Sequence, residues 1–337
     1  GLTNKYNQRI YGGCQDLIDK GFDKSSLSKF LDKKRKSING YTDLIGFEEL
    51  NQGYDTLVFN SRGIESVRVL GEFIRAKDIA LLENKDYIHW EFKGFDFMVK
   101  KKSFGFYKVT IVYQNLFQIS FNEKIINIKI LSMAFYTMKL EILYDLLFRI
   151  VLELFEVHFR ENFVVSRVDY AIDVKYNFDL FNDVVKNLDF VKLKKENFKI
   201  FHEPKGKSIT YTNGVAQICL YDKVLEVYHG KSEKMAIYDK LFNIDFQNSF
   251  AIEEYKNSGS QILRFEYRLN NNNDFLVKYK INIEKIFFYP NYVKFFIRHM
   301  IDKHTRLEIP EDDLYKYFLQ TESFNLEIET FDETRYI

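Results

Sequence analysis

Cysteine and proline are scarce in this chain, which has two cysteines and three prolines among 337 residues. Cys14 and Cys219 cannot build a disulfide framework, and they form no CxxC pair of the kind that binds a structural metal. The absence of a disulfide framework is typical of a protein from a reducing compartment, so we predict a cytoplasmic location.

Long uncharged apolar runs are also missing. The most apolar stretch, Leu140–Phe159, carries a charged residue at every fourth position, through Glu141, Asp145, Arg149 and Glu153. This spacing predicts an amphipathic helix with one wet stripe, so we expect no membrane association. We also expect no signal peptide.

Several catalytic motifs do not occur in the sequence. There is no GxxxxGK(S/T) phosphate loop, no GxSxG nucleophile and no HExxH metal helix. The six histidines form no His-x-His pair, which argues against the histidine-metal type of DNA nickase. Carboxylates, lysines and tyrosines remain as the candidates for chemistry.

Charge is unevenly distributed along the chain. The net charge is +1, but residues 308–337 contain nine acidic and two basic residues, which leaves the remainder near +8. A basic body with an acidic tail is typical of nucleic-acid-binding proteins, although any single basic run also fits an ordinary solvated surface. The basic runs are Lys33–Lys36, Lys100–Lys102, Lys192–Lys195 and Lys205–Lys207.

The residue pattern predicts three segments. Residues 1–45 are predicted to be a helical N-terminal segment, either a helix-turn-helix DNA reader or a plain helical cap. Residues 46–272 are predicted to form a catalytic nicking domain. Residues 273–337 are predicted to be a helical C-terminal segment that ends in the acidic tail.

Hydrophobic periodicity in the middle segment predicts strands mixed with helices. This mixture predicts an α+β fold, in which helices cover an antiparallel sheet. Strands are expected at Tyr54–Phe59, His89–Val99, Phe106–Tyr113, Gln118–Asn122, Val164–Val174, Ser208–Tyr211, Gln217–Lys223 and Ile262–Leu269. Helices are expected at Ile64–Ile74, Leu140–Phe159, Phe178–Leu188 and Asp239–Tyr255.

Three of these strands should each present one apolar and one polar face, because side chains alternate along a strand. A half-solvated antiparallel sheet would produce the same alternation. The polar faces are nevertheless unusual, since they group carboxylates, which sheet interiors disfavour, beside basic residues. They carry Arg167, Asp169 and Asp173 on the first strand, Tyr221 and Lys223 on the second, and Arg264, Glu266 and Arg268 on the third.

Two interpretations of the grouped carboxylates are open. The favoured one is a site for Mg²⁺ or Mn²⁺, since Asp169, Asp173 and Glu266 supply the oxygen ligands that such cations prefer. The alternative is a structural ion-pair network. A cation and a lysine beside a tyrosine would stabilise its phenolate, whose pKa is ordinarily about 10, and the charge on an attacked phosphate.

The three strands also carry sequence motifs in a definite order. Ser166–Asp173 matches S/T-R-hydrophobic-D-x-A-x-D, Tyr221–Glu226 matches Y-x-K-x-x-E, and Arg264–Leu269 matches R-hydrophobic-E-hydrophobic-x-L. Together they resemble the replication initiators of small rolling-circle plasmids of Gram-positive hosts, the Rep-trans type. Related relaxases of integrative conjugative elements and initiators of filamentous phages are similar. The resemblance covers about residues 160–270.

The resemblance implies an initiator that nicks one DNA strand at an origin, leaving a 5′-phosphotyrosine and a 3′-OH. It implies that Tyr221 is the nucleophile, assisted by Lys223 and Arg264. It also implies that Asp169 and Glu266, with Asp173, hold Mg²⁺ or Mn²⁺. For binding DNA phosphates we expect the basic residues Arg167, Arg268, Lys205 and Lys207.

The implied partners are origin DNA, as a single strand or a cruciform, a host helicase, and a second copy of the chain in a homodimer. The chain departs from the family pattern at Cys219, where family members have an arginine two residues before the tyrosine, and in a shorter preceding hairpin. A second Tyr-Asp-Lys triplet at Tyr238–Lys240 makes Tyr238 the alternative nucleophile.

Other functions fit the same residues. A relaxase of a mobile element would use the same first step. A replication or copy-control protein could have kept the fold and DNA binding but lost cleavage. A metal nuclease could activate water, with Tyr221 merely stacking on a base.

Overall fold

The computed structural model describes residues 47–61, 66–176, 198–203, 206–212, 216–230 and 234–290, together with Val293 and Ile297. The predicted N-terminal segment, the predicted helix Phe178–Leu188 and most of the C-terminal segment lie outside these residues. The described part combines helices with antiparallel strands, so the predicted α+β class is confirmed.

Helices and strands succeed one another along the described ranges. The strands are β1 (Phe47–Ser61), β2 (Tyr87–Phe92), β3 (Phe95–Lys100), β4 (Val109–Tyr113), β5 (Phe117–Phe121), β6 (Ile126–Ile130), β7 (Phe163–Tyr176), β8 (Phe198–Glu203), β9 (Gly206–Thr212), β10 (Ala216–Asp222) and β11 (Gln261–Asn270). The helices are α1 (Val67–Leu82), α2 (Ala134–Thr137), α3 (Leu140–Phe155), α4 (Phe159–Asn162), α5 (Lys223–Gly230), α6 (Met235–Phe242), α7 (Ser249–Asn257), α8 (Phe275–Lys278) and α9 (Ile283–Phe288).

The chain divides into two compact units. The meander unit comprises residues 54–169 and 281–288, and the motif unit contains the other residues described above. Strands β1 and β7 contribute to both units, because the boundaries fall after Gly53 and after Asp169. The range 46–272, predicted as one catalytic domain, therefore includes residues of both units.

In the meander unit the strand order is β2-β3-β4-β5-β6-β1, and every neighbouring pair is antiparallel. Lys93 and Gly94 connect β2 to β3 with φ of 45° and 85°. Two successive positive φ angles make the tight hairpin turn whose twist matches that of the strands. Buried β-branched and aromatic side chains such as Val99, Ile111 and Ile128 then hold these short strands together.

The longest helices of the meander unit, α1 and α3, owe their form to amphipathic spacing. Helix α3 buries Leu143, Leu147, Ile150 and Leu154, which lie three or four residues apart and form one apolar stripe. Helix α1 contacts β2, β3 and β4. No helix within the described ranges is long and apolar enough to cross a membrane.

An aromatic cluster forms part of the core of the meander unit. The ring of Phe287 in α9 lies 5.9 Å from Phe59, 5.3 Å from Tyr144 and 6.3 Å from Phe159, measured between centroids. Phe59, Phe159 and Phe287 are all fully buried. Offset and edge-to-face contacts of this kind stabilise a core beyond the area that they bury.

In the motif unit the strand order is β7-β11-β10-β9-β8. Strands β11, β10, β9 and β8 are antiparallel neighbours, with Tyr221 opposite Arg264, Cys219 opposite Glu266 and Gln217 opposite Arg268. The predicted hairpin between β9 and β10 is confirmed as a strand pair, while its turn residues 213–215 lie outside the described ranges.

Most predicted elements occur, but some boundaries differ. The interval His89–Val99 holds two strands rather than one, because Lys93 and Gly94 reverse the chain. The predicted helix Leu140–Phe159 is interrupted after Phe155, where Glu156 takes a left-handed φ of 56°. Strands β6 and β8 were not predicted. The segment Asp239–Tyr255 contains parts of two helices, α6 and α7.

Replacing Phe287 by alanine should reduce the free energy of unfolding by about 3–5 kcal/mol, because it removes a fully buried ring and leaves a cavity among three aromatic neighbours. Urea denaturation followed by circular dichroism measures the change. Ile142→Ala is the control, since Ile142 on α3 is 51% exposed and its truncation should change stability by less than about 0.5 kcal/mol. Equal losses for both variants would contradict the assignment of Phe287 to the core.

Candidate active site

The polar residues predicted from the three motifs do come together in part. Strand β11 lies between β7 and β10 in the motif unit, so Asp173, Arg264, Glu266 and Tyr221 are on neighbouring strands. Their side chains form two hydrogen-bonded rows, an inner row that is fully buried and an outer row that reaches solvent.

The inner row is centred on an ion pair between Arg264 and Asp173. Arg264 Nε donates to Asp173 Oδ1 at 2.6 Å, and Arg264 Nη2 donates to Asp173 Oδ2 at 2.7 Å. Asn51 Nδ2 donates to the same carboxylate at 3.1 Å, and Arg264 Nη2 also donates to Tyr238 Oη at 2.9 Å. Arg264 and Asp173 are 1% and 0% exposed, so this is a desolvated, bidentate charge pair.

The outer row runs across β10 and β11. Tyr221 Oη donates to Glu266 Oε2 at 2.9 Å, and Arg268 Nε donates to Glu266 Oε1 at 2.7 Å. Arg268 Nη1 also donates to Gln217 Oε1 at 3.2 Å. Tyr221 is half-buried and Arg268 keeps 29% of its side chain exposed, so this row is within reach of a large ligand.

The sequence pattern predicted that Lys223 would lie on the polar face of the strand, but β10 ends at Asp222. Lys223 is the first residue of helix α5, where its Nζ donates to Glu226 Oε2 at 2.7 Å. Its Nζ still lies 5.6 Å from the ring centroid of Tyr221 and 5.0 Å from that of Tyr238. The Y-x-K-x-x-E spacing thus places a lysine and a glutamate one turn apart at the start of a helix.

Asp222 explains why the strand ends where it does. Its Oδ1 accepts a hydrogen bond from the backbone N–H of Leu225 at 3.0 Å, which caps the N-terminus of α5. Its Oδ2 accepts from Tyr255 Oη at 3.0 Å, and Tyr255 Oη accepts from the Ile262 N–H at 2.7 Å. Burial, and then the negative charge of Asp222, raise the pKa of Tyr255 well above its ordinary value.

The two candidate nucleophiles differ in accessibility. Tyr238 lies on α6, is 0% exposed, and has Arg264 at its hydroxyl and Lys223 against its ring. Tyr221 is half-buried at the end of β10 and points its hydroxyl at Glu266. Only one of the two hydroxyls therefore belongs to the row that reaches solvent.

The inner part of the polar face is buried rather than solvated, which strand alternation alone did not indicate. Asp173, Arg264 and Glu266 are 0%, 1% and 4% exposed, whereas Tyr221 and Arg268 are only partly buried. Helix α5 contacts both β10 and β11, and Tyr238 of α6 reaches Arg264. Helices α5 and α6, which lie between β10 and β11 in the sequence, therefore pack against the buried part of this face, and the charges there must be paired within the protein.

Asp169 belongs to the meander unit and pairs with Arg167. The guanidinium donates from Nε to Oδ1 at 2.7 Å and from Nη2 to Oδ2 at 2.6 Å, with Asp169 buried and 36% of the Arg167 side chain exposed. Asp169 and Asp173 share one face of β7 but are four residues apart, about 13 Å along the strand.

The carboxylates predicted to bind Mg²⁺ or Mn²⁺ are each engaged by an arginine: Asp169 by Arg167, Asp173 by Arg264 and Glu266 by Arg268. Among the residues that the structure describes, no group of three His, Cys, Asp or Glu side chains is arranged to hold a metal ion. As arranged, this donor set fits an ion-pair network, because a cation would have to displace guanidinium groups. The metal site stays a prediction.

Other predicted DNA contacts are only partly described. Lys205 lies outside the described residues, and Lys207 lies in β9 opposite His202. Cys219 is buried and its Sγ accepts from Thr210 Oγ1 at 3.7 Å. Sequence reasoning missed Asn51, Asp222 and Tyr255. Of these only Asp222 had a local signal, as a favoured N-cap residue directly before a helix.

No protein-family model, curated protein or solved structure matches this chain. The resemblance to rolling-circle initiators therefore depends on the three sequence motifs and their order alone.

A double-mutant cycle should show that the inner pair is strongly coupled. Asp173→Leu and Arg264→Met alone should each lower the free energy of unfolding by about 3–5 kcal/mol, since each leaves one buried charge without its partner. The double variant should cost clearly less than the sum, measured by urea denaturation. Arg160 and Glu284, an ion pair with side chains 49% and 37% exposed, should give a coupling below about 1 kcal/mol.

Tyr255 should make stability depend on alkaline pH. Its folded pKa is raised, so its contribution is full below the unfolded value near pH 10 and is lost as the pH rises toward the folded value. The stability difference between the wild type and Tyr255→Phe should be constant up to about pH 10 and then shrink by about 1.4 kcal/mol per pH unit. Urea denaturation at a series of pH values measures it. A difference that grew with pH would contradict the assigned direction.

Proposed function

We propose that this chain is a site-specific single-strand DNA endonuclease and strand transferase that starts rolling-circle replication, with Tyr221 as its nucleophile. The observation that carries the proposal is the hydrogen bond of 2.9 Å from Tyr221 Oη to Glu266 Oε2, in a row that reaches solvent. A tyrosine hydroxyl needs a partner that takes its proton, and a carboxylate at this distance is positioned to do so.

The proposed reaction is a transesterification. Tyr221 Oη attacks the phosphorus of a DNA phosphodiester, its proton passes to Glu266, and an O–P bond forms. The bond from phosphorus to the 3′-oxygen breaks, and that oxygen takes a proton from solvent to become a 3′-OH. The 5′-phosphotyrosine conserves the energy of the phosphodiester, so a later 3′-OH can reverse the step and join strands.

Two cations flank the nucleophile in this proposal. Arg268, which pairs with Glu266 and is part-exposed, contacts a neighbouring phosphate in this proposal, in the row where Cys219 replaces the family's arginine. Lys223, against the Tyr221 ring, stabilises the phenolate and the charge that develops on phosphate. Arg264 acts as a positioning residue, since it touches Asp173 and Tyr238 and is fully buried.

The wider role follows from the resemblance. It supports action at the origin of a plasmid or other mobile element, on single-stranded or cruciform DNA, with a host helicase and in a homodimer. A relaxase in conjugative transfer would use the same first step. Mg²⁺ or Mn²⁺ remains the predicted cofactor, but no step above passes through a metal, because the carboxylates are held by arginines.

A second function is favoured by one observation. All three motif carboxylates have arginine partners, as expected of a structural network in a protein that binds origin DNA without cutting it. The two proposals differ in whether Tyr221 becomes covalently attached to DNA.

Covalent trapping tests the proposal. The full chain is incubated with labelled single-stranded DNA from the region flanking its gene, with Mg²⁺, with Mn²⁺ and with EDTA, and adducts that survive SDS are counted. Wild type and Tyr228→Phe, a control in neighbouring α5, should form the adduct. Tyr221→Phe should form none. Glu266→Gln should slow adduct formation about 100-fold without loss of DNA binding, the usual size of a general-base effect.

The remaining outcomes separate the alternatives. An adduct that persists in Tyr221→Phe but is lost in a folded Tyr238→Phe variant would transfer the nucleophile to Tyr238. DNA binding without adduct or cleavage would support the non-catalytic protein, and cleavage without adduct would support a nuclease that uses water. An adduct in EDTA would show that the step needs no divalent cation.

A further inference from the structure

The loop that joins β3 to β4 in the meander unit, residues 101–108, combines aromatic and basic side chains. Its sequence is Lys-Lys-Ser-Phe-Gly-Phe-Tyr-Lys, and it follows Lys100. The run Lys100–Lys102 is one of the basic runs in the sequence, and the proposed cleavage step makes no use of it. We call residues 101–108 the aromatic loop.

Hydrogen bonds hold the aromatic loop in one conformation. The Phe104 N–H donates to Thr110 Oγ1 at 2.8 Å, and Lys77 Nζ donates to Ser103 Oγ at 2.9 Å and to the Lys108 carbonyl at 2.7 Å. Gly105 makes the turn with a φ of 53°. A loop that is already ordered loses little conformational entropy when a ligand binds.

Three aromatic rings of the loop are nearly parallel. The Tyr107 ring lies 4.5 Å from Phe106 and 6.5 Å from Phe104, at interplanar angles of 24° and 16°. Phe106 is 70% exposed and Phe104 is 59% exposed. Two phenylalanines this exposed beside the same tyrosine are not explained by packing within the protein, because most of their apolar surface stays in water.

The sequence around these rings is rich in lysine. Lys100, Lys101, Lys102 and Lys108 surround the aromatic positions, and no acidic residue occurs from residue 97 to residue 122. Lys108 forms an ion pair with Glu123, while Lys102 is exposed. The loop therefore offers flat apolar rings next to positive charge, which is the combination that binds bases and phosphates of an unpaired strand.

We propose that the aromatic loop is a binding site for single-stranded nucleic acid, in which bases extend the stack on Phe106 and Phe104 while Lys101 and Lys102 contact phosphates. A lipid surface would also attract lysines and aromatic rings, but parallel exposed rings beside lysines are the kind of platform on which bases stack. The site goes beyond the proposed cleavage reaction, since it needs neither Tyr221 nor Glu266.

Anisotropy titrations of the full-length Tyr221→Phe chain test the site without interference from cleavage. The probes are a labelled oligothymidylate and an abasic oligonucleotide of the same length. Phe106→Ala should weaken oligothymidylate binding about tenfold, and the double variant Phe104→Ala/Phe106→Ala should weaken it further, through lost base stacking. Neither should change binding of the abasic probe. Phe250→Ala is the control, because Phe250 is 83% exposed but lies on α7 near Glu253 and Glu254.

Lys102→Gln should behave differently, because a phosphate contact does not need a base. It should weaken binding of both probes and reduce the salt dependence by about one ion. Lys85→Gln is the matched control, since Lys85 pairs with Glu83 and its side chain is 62% exposed.

Several results would overturn the proposal. They are no binding of oligothymidylate by the parent chain, no loss in Phe106→Ala, or equal losses in Phe106→Ala and Phe250→Ala. A loss in Phe106→Ala of binding to phosphatidylserine vesicles, with oligothymidylate binding intact, would assign the loop to a membrane. Thermal unfolding confirms that each variant is folded. Because the parent carries Tyr221→Phe, failure of the cleavage proposal leaves these results interpretable.

Discussion

The buried ion pair between Arg264 and Asp173 is the constraint on which the motif unit depends. Both side chains are desolvated, and their attraction compensates for that cost only while the geometry is kept. Asn51 and Tyr238 complete the hydrogen bonds, so β1, β7, β11 and α6 must all stay in position. The pair therefore specifies an arrangement more than it adds stability.

The same face supports a second row with a different character. Tyr221, Glu266, Arg268 and Gln217 are linked one to the next, and the Arg268 guanidinium in this row is part-exposed. Asp222 joins the row's strand to α5 by capping the helix that begins at Lys223. The two rows therefore differ in solvent access: the inner row is buried, and the outer row reaches solvent at Tyr221 and Arg268.

Much of this could be predicted, because strand alternation is a local property. The pattern identified which residues of β7, β10 and β11 share a face, and the apolar spacing of α3 predicted a helix. The packing of α5 and α6 against the buried part of the polar face could not be predicted, because it depends on tertiary contacts that have no local sequence pattern. The partner of Asp173 on β1, Asn51, lies 122 residues earlier in the sequence and had no recognisable signal.

The sequence by itself determined the α+β class, the strands that carry the motifs and the polar residues that those strands align, because backbone periodicity acts over a few residues. Tertiary structure decided which charge pairs with which. Carboxylates beside arginines give the same sequence pattern whether the carboxylates bind a metal ion or pair with the arginines. Only burial and distance in the folded chain distinguish a metal site from an ion-pair network. Among the described residues, Arg264 pairs with Asp173, Arg268 pairs with Glu266, and the Tyr221 hydroxyl donates to Glu266.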